Sequence, residues 1–227
     1  MSAQFASRQL ALALGHDESF ARDDFISGAA NAAGLDLVER WPDWPSKIVA
    51  LIGPEGCGKT HLATIWAEAT GARILSAKLL SEVDPTAALA TGALVVDDLA
   101  PNGLAERALF HLLNLAREEN VFVLLTARSA PSSWPIEIRD LQSRLRALPA
   151  VAMAPPEEKL LRTLIVKLAA DRQLMFDGSL VSFLVSRIER SFAGAREAVN
   201  RLDQEAMRQK RPVTRALAAE LFRPSAH

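Results

Sequence analysis

The stretch Gly53-Pro54-Glu55-Gly56-Cys57-Gly58-Lys59-Thr60 matches GxxxxGK(S/T) at every fixed position. That spacing suits a polyphosphate. Glycines let the backbone curl so that successive amide N–H groups point at phosphate oxygens, and a helix starting there adds its positive end. Lys59 would bring a mobile cation to the outer phosphates, and the Thr60 hydroxyl is a hard ligand for Mg2+. Cys57 reads as a spacer, because no His and Asn constellation accompanies it to make a nucleophile. His61 follows on the same turn and is expected at the edge of the site, either packed or at the surface.

A second cluster lies 37 residues beyond Thr60, where the apolar run Ala93-Leu94-Val95-Val96 ends in Asp97-Asp98. Carboxylates at the end of a buried strand face the crevice in which open α/β sheets bind ligands. Asp97 is expected to hold the metal, and Asp98 to polarise a water.

The elements around these residues alternate. Lys47–Ile52, Ala93–Val96 and Asn120–Thr126 read as buried strands, with Arg73–Ser76 and Ala150–Met153 as shorter ones. Helices are expected over 25–40, 61–70 and 103–119, and the Trp41-Pro42-Asp43-Trp44-Pro45 stretch as a loop. Strand and helix in alternation predict an α/β fold, a parallel sheet covered on both faces. After Pro155-Pro156 only helical periodicity remains, over 157–172, 178–190, 194–209 and 214–222, with Asp177 and Thr214 placed as N-caps. The predicted organisation is an extended segment over 1–18, a nucleotide-binding α/β domain over 19–154, and a small helical lid over 155–227.

Composition narrows the function classes. The 227-residue chain carries a formal net charge of −1, which excludes a globally basic nucleic-acid-coating protein. The lid is modestly basic, with 13 Lys and Arg against 9 Asp and Glu after residue 155, and the rest carries 13 against 18. One cysteine permits no internal disulfide, so a reducing compartment and a cytoplasmic location are expected. No run approaches the roughly 18 apolar residues of a membrane span, and no secretion signal is visible. The four histidines lack metal-ligand spacing, and the four tryptophans form no stripe on which bases would stack.

GPEGCGKTHL and LVVDDL resemble the phosphate loop and acidic strand of the DnaA family of AAA+ proteins. The similarity extends to Phe20, Phe25-Ile26-Ser27-Gly28 and Asn31, which resemble the segment walling the adenine pocket, and to Glu106–Asn114. Asp140–Leu145 is similar to an LxSRL element. Together the likeness spans roughly residues 18 to 222. It implies an adenine nucleotide, ADP or ATP, with Mg2+, and an arginine, Arg144, that acts in trans on a neighbouring subunit's nucleotide. Two positions depart from the family pattern. After Thr126, where an acid or amide should sense the terminal phosphate, the chain reads Ala127-Arg128. The lid's sensor arginine falls at Ala193, with Arg196 one helical turn away as a substitute.

DnaA continues into a helix-turn-helix domain, whereas this sequence stops after the lid, and that shortened form resembles the Hda-like regulators. Gln9-Leu10-Ala11-Leu12-Ala13-Leu14 is similar to their QLxLxL clamp-binding motif. An extended segment of this kind would lay Leu10, Leu12 and Leu14 into an apolar groove while Gln9 makes polar contacts. The resemblance implies a regulator of replication initiation that docks on the sliding clamp and stimulates ATP hydrolysis by DnaA, meeting DNA only through the clamp. For such a regulator ADP is the implied bound form, and fast hydrolysis by the chain itself is not expected. Self-association stays open. The alternatives are an autonomous AAA+ ATPase of the helicase-loader kind and a recruitment adaptor without catalysis.

Overall fold

The computed structural model describes residues 21–223. The segment expected to bind a clamp, with Gln9, Leu10, Leu12 and Leu14, lies outside the described residues, as does Phe20.

Five strands form one parallel sheet: β1 (Ile48–Ile52), β2 (Arg73–Ser76), β3 (Ala93–Leu99), β4 (Phe122–Ala127) and β5 (Ala150–Ala152), in the order β2-β3-β4-β1-β5. Apolar runs such as IVALI suit strands covered on both faces, and parallel neighbours require crossovers. Those crossovers supply the helices α2 (Lys59–Thr70), α3 (Pro85–Leu89), α4 (Glu106–Glu118) and α5 (Arg139–Ala147), with α1 (Ala32–Glu39) preceding β1. Alternation along each strand divides the core into two layers. Leu94, Val96 and Leu125 pack with Leu109, Leu113 and Leu141 on one face. Val49, Leu51, Val95 and Leu124 pack with Leu35, Leu62 and Trp66 on the other.

The helices after residue 155, α6 (Glu158–Asp171), α7 (Gly178–Val185), α8 (Phe192–Gln209) and α9 (Arg215–Leu221), pack around a core of their own, including Leu161, Ile165, Leu184, Val199, Leu202 and Leu217. Asp177 and Thr214 cap α7 and α9 as expected, their side chains accepting from Leu180 N and Leu217 N. Ser191, 2% exposed, caps α8 by accepting from Gly194 N.

The structure departs from the sequence reading in four places. Residues 25–31 do not extend the first helix, because the buried Asn31 side chain accepts from Gly28 N and donates to Ile26 O, closing a turn. Strand β3 runs on to Leu99, since a bulge accommodates the acids and returns Leu99 to pair with Ala127. Helix α3 was not foreseen, although Asp84 as N-cap and Pro85 in the first turn are a recognised start signal. Helix α7 ends at Val185 instead of Arg190, with Arg187 N and Ile188 N both turning back to Leu184 O.

Leu62 is fully buried between α1 and the sheet. Leu62→Ala is expected to cost about 2–5 kcal/mol by removing methyl groups and leaving a cavity, read as a lower urea midpoint by circular dichroism. The Asp177 carboxyl is held below its usual range by the Leu180 amide first and the Ser179 hydroxyl second. A depressed folded pKa stabilises at neutral pH and is lost as pH falls through it. Asp177→Ala should therefore lower the melting temperature at pH 7, and the gap from wild type should close on acidification.

Candidate functional site

The phosphate loop connects the carboxyl end of β1 to α2, at the end of the sheet where its crevice opens. Two close approaches explain its glycines. A Cβ on Gly53 would lie 2.4 Å from Met153 O, and one on Gly56, at φ +69°, would lie 2.7 Å from the Ser191 Cβ. The loop is thereby wedged between β5's continuation and the start of α8, where Phe192 N donates to Gly56 O at 2.8 Å. Gly53 N donates to Ala127 O, which ties the loop to the end of β4.

Lys59 is 8% exposed, and its ammonium donates to Gly53 O and Pro54 O, both at 2.8 Å. A cation so enclosed needs such partners, and the carbonyls hold it inside the curl of the loop. Cys57 Sγ lies 3.8 Å from the same ammonium and is buried.

Opposite stands the acidic strand end. Thr60 Oγ1 lies 3.3 and 3.2 Å from the two Asp97 oxygens. Thr126 Oγ1, on the 1% exposed β4 residue, donates to Asp97 Oδ1 at 2.6 Å and accepts from Asp98 N at 2.9 Å. One hydroxyl thus fixes both acids. Asp98 sits in the bulge at φ +60°, a left-handed conformation uncommon outside glycine. Its carboxylate lies 3.6 Å from Arg128 Nε, and Arg128 Nη1 also pairs with Glu55 Oε2 at 2.5 Å.

A cavity of about 230 Å³ adjoins the loop. It is lined by Asp24, Phe25 and Ile26, by Gly56, Gly58, Lys59, Thr60 and His61 of the loop and α2, and by Leu164, Phe192 and Ala193 of α6 and α8. Arg196 also lines it and approaches His61 Nδ1 at 3.2 Å. An arginine can only donate, so the ring proton resides on Nε2, which faces Ala21 O at 3.3 Å. His61 lies edge-on to Phe25, with ring centroids 5.2 Å apart. The expected sites Phe25, Ile26, His61, Lys59, Thr60 and Arg196 therefore converge on one cavity. Arg144 does not line it.

No family model matches the sequence. Among solved structures, domain III of the Thermotoga maritima replication initiation protein DnaA superposes on 92% of this chain and 99% of its own, with a TM-score of 0.72 at 16% identity. DnaA from Aquifex aeolicus bound to AMPPCP matches 86% of this chain and 70% of its own, with a TM-score of 0.65 at 17% identity. The Thermotoga maritima RuvB Holliday junction branch migration motor matches 89% and 70%, at 0.66 and 19%. The chain shares the fold of DnaA domain III.

The residues lining this cavity suit an adenine nucleotide. Apolar walls at Phe25, Ile26 and Leu164 suit a flat base, and the buried Lys59 on a glycine-lined floor suits phosphates. Among the described residues no group of three or more His, Cys, Asp or Glu could hold a metal alone. The adjacent Thr60 hydroxyl and Asp97 carboxylate suit Mg2+, which is commonly bound by one or two protein oxygens with substrate phosphates completing its shell.

Sequence reasoning missed two features. Arg128 was noticed only as a missing acid or amide, although a cation directly after a strand end was visible. The His61–Arg196 contact joins residues far apart in the chain and left no local signal. Thr126→Val keeps shape but removes the hydroxyl shared by Asp97 and Asp98. It is expected to cost about 1–3 kcal/mol in stability by stranding the Asp98 amide. It should also weaken the Mg2+ dependence of nucleotide binding, measured by calorimetry with and without the metal.

Proposed function

We propose that this chain is an Hda-like regulator of replication initiation: it holds an adenine nucleotide, docks on the sliding clamp, and presents Arg144 to ATP bound by DnaA. The observation that carries the reading is where Arg144 sits. It projects from α5 over the Phe110 ring, 5.6 Å from its centroid, and lines a second cavity of about 340 Å³ with Lys47, Ile48, Asn120 and Pro149. Those residues lie at the amino ends of β1, β4 and β5, whereas the phosphate loop follows the carboxyl end of β1. Arg144 is thus presented away from its own chain's phosphate site, as an arginine serving a neighbour would be.

The roles divide as follows. Lys59 and the loop amides grip phosphates, Thr60 and Asp97 hold magnesium, and Phe25 and Ile26 wall the base. Arg196, with His61, tethers the lid across the cavity. The bound nucleotide supplies the anionic link between loop and lid. Residues Gln9, Leu10, Leu12 and Leu14 dock on the clamp, which confines contact with DNA to the clamp. No helix of the described residues is long and apolar enough to cross a membrane. An arginine delivered to a transferring phosphoryl group offsets the charge spread over its oxygens and accounts for rate factors on the order of 10³ to 10⁵. The fold likeness to DnaA domain III supports this reading.

The test is hydrolysis of ATP carried by DnaA, with clamp loaded on DNA. Arg144→Ala should return the rate towards the unstimulated level, a loss of up to the order of 10³. Removing residues 1–15 should abolish the dependence on clamp. Unchanged stimulation by Arg144→Ala would sink the trans-arginine role. Vigorous hydrolysis by the chain alone, lost in Asp98→Asn, would instead support an autonomous ATPase.

A further inference from the structure

The phosphate end of the site carries three carboxylates. Glu55 belongs to the loop itself, and Asp97 and Asp98 end β3. A nucleoside triphosphate would meet these with Lys59 as the cation on the loop. Magnesium offsets Asp97 when both are bound, but Glu55 and Asp98 would still repel the terminal phosphate. Arg128 pairs with both: Nη1 lies 2.5 Å from Glu55 and Nε 3.6 Å from Asp98.

We propose that Arg128 is a specificity residue of the nucleotide site, neutralising Glu55 and Asp98 so that the site accepts a triphosphate as well as a diphosphate. The inference rests on the nucleotide-binding reading above and deepens it. Three observations support it. First, the base of the arginine is rigid, because Ala127 pairs with Ile52 and its carbonyl accepts from Gly53 N, placing residue 128 beside the loop. Second, its Asp98 partner is fixed, since the Asp98 amide donates to the buried Thr126 hydroxyl and the backbone there is left-handed. Third, the ion pairs themselves are exposed, with side chains 54% (Arg128), 70% (Glu55) and 47% (Asp98) accessible. Exposed pairs contribute little to stability. Arg128 can therefore be replaced without unfolding the chain, so the charge it supplies to Glu55 and Asp98 is read in nucleotide binding. Were the arginine merely a solvated surface residue, removing it would change affinity for both nucleotides equally or for neither.

Binding separates these cases without relying on turnover. Affinities for ADP and for the non-hydrolysable AMPPCP are measured with Mg2+ by competition against a fluorescent nucleotide. Wild type, Lys59→Ala, Arg128→Asn, Arg128→Asn/Asp98→Asn and Arg128→Asn/Glu55→Gln are compared, with thermal melting to confirm folding. Arg128→Asn should weaken AMPPCP about tenfold relative to ADP, the effect of one unit charge a few ångströms away in a partly solvated setting. Neutralising Asp98 or Glu55 in the same chain should recover most of that loss. An unchanged AMPPCP-to-ADP ratio in Arg128→Asn, or a loss that neither second substitution restores, would overturn the proposal. Should Lys59→Ala bind as wild type does, the nucleotide-site reading fails instead, and Arg128 falls with it.

Discussion

A lysine ammonium enclosed by backbone carbonyls organises this molecule. Lys59 is almost fully buried, and its charge is tolerable there because Gly53 O and Pro54 O both accept from it. To bring those carbonyls inward the loop must curl tightly, and the curl leaves no room for side chains at Gly53 and Gly56. Met153 O presses against one and Ser191 against the other. The demand for a buried cation therefore dictates how closely β5's continuation and the lid approach the loop.

That closeness couples the loop to the helices that follow residue 155. Phe192 N donates to Gly56 O, so the first residue of α8 is bonded to the tip of the loop. A second link runs from Lys167 on α6 to Asp24, at 2.5 Å, with Asp171 as its other partner. Those contacts raise the Lys167 pKa, chiefly through the hydrogen bond to Asp24. A third link is Arg196 with His61. The cavity between these ties is thus bounded by the loop, by Phe25 and Ile26, and by α6 and α8, and a ligand filling it would touch all of them together.

The acids at the end of β3 show how a small departure from regularity sorts two like residues into different roles. A bulge between Val96 and Leu99 keeps Asp97 beside Thr60 and turns Asp98 towards Arg128. Thr126 serves both, donating to one acid and accepting from the amide of the other. The charge-reversed neighbour Arg128 distinguishes this strand end from the family pattern that the sequence otherwise resembles.

Local chemistry made much of this legible in advance. Glycines, lysine and threonine at fixed spacing announced the tight loop between β1 and α2 that encloses Lys59, and apolar runs announced the buried parallel strands. Asp177 and Thr214 marked helix starts by their own side-chain oxygens. Beyond Pro155-Pro156 only helical periodicity was visible, and only helices follow there among the described residues. What depended on tertiary structure were relationships between distant segments. The turn over 25–31 arises from Asn31 bonding within a buried corner, where helical propensity alone would have extended α1. The tether from His61 to Arg196 and the sharing of Thr126 between two acids join residues from separate elements. Arg128's two carboxylate partners come from a loop and a bulge that meet only once the sheet has formed. Sequence alone determined which groups could bind phosphate, since that capacity belongs to a contiguous stretch. Folding decided which charges face one another across the site, because electrostatic partnership depends on distance in space.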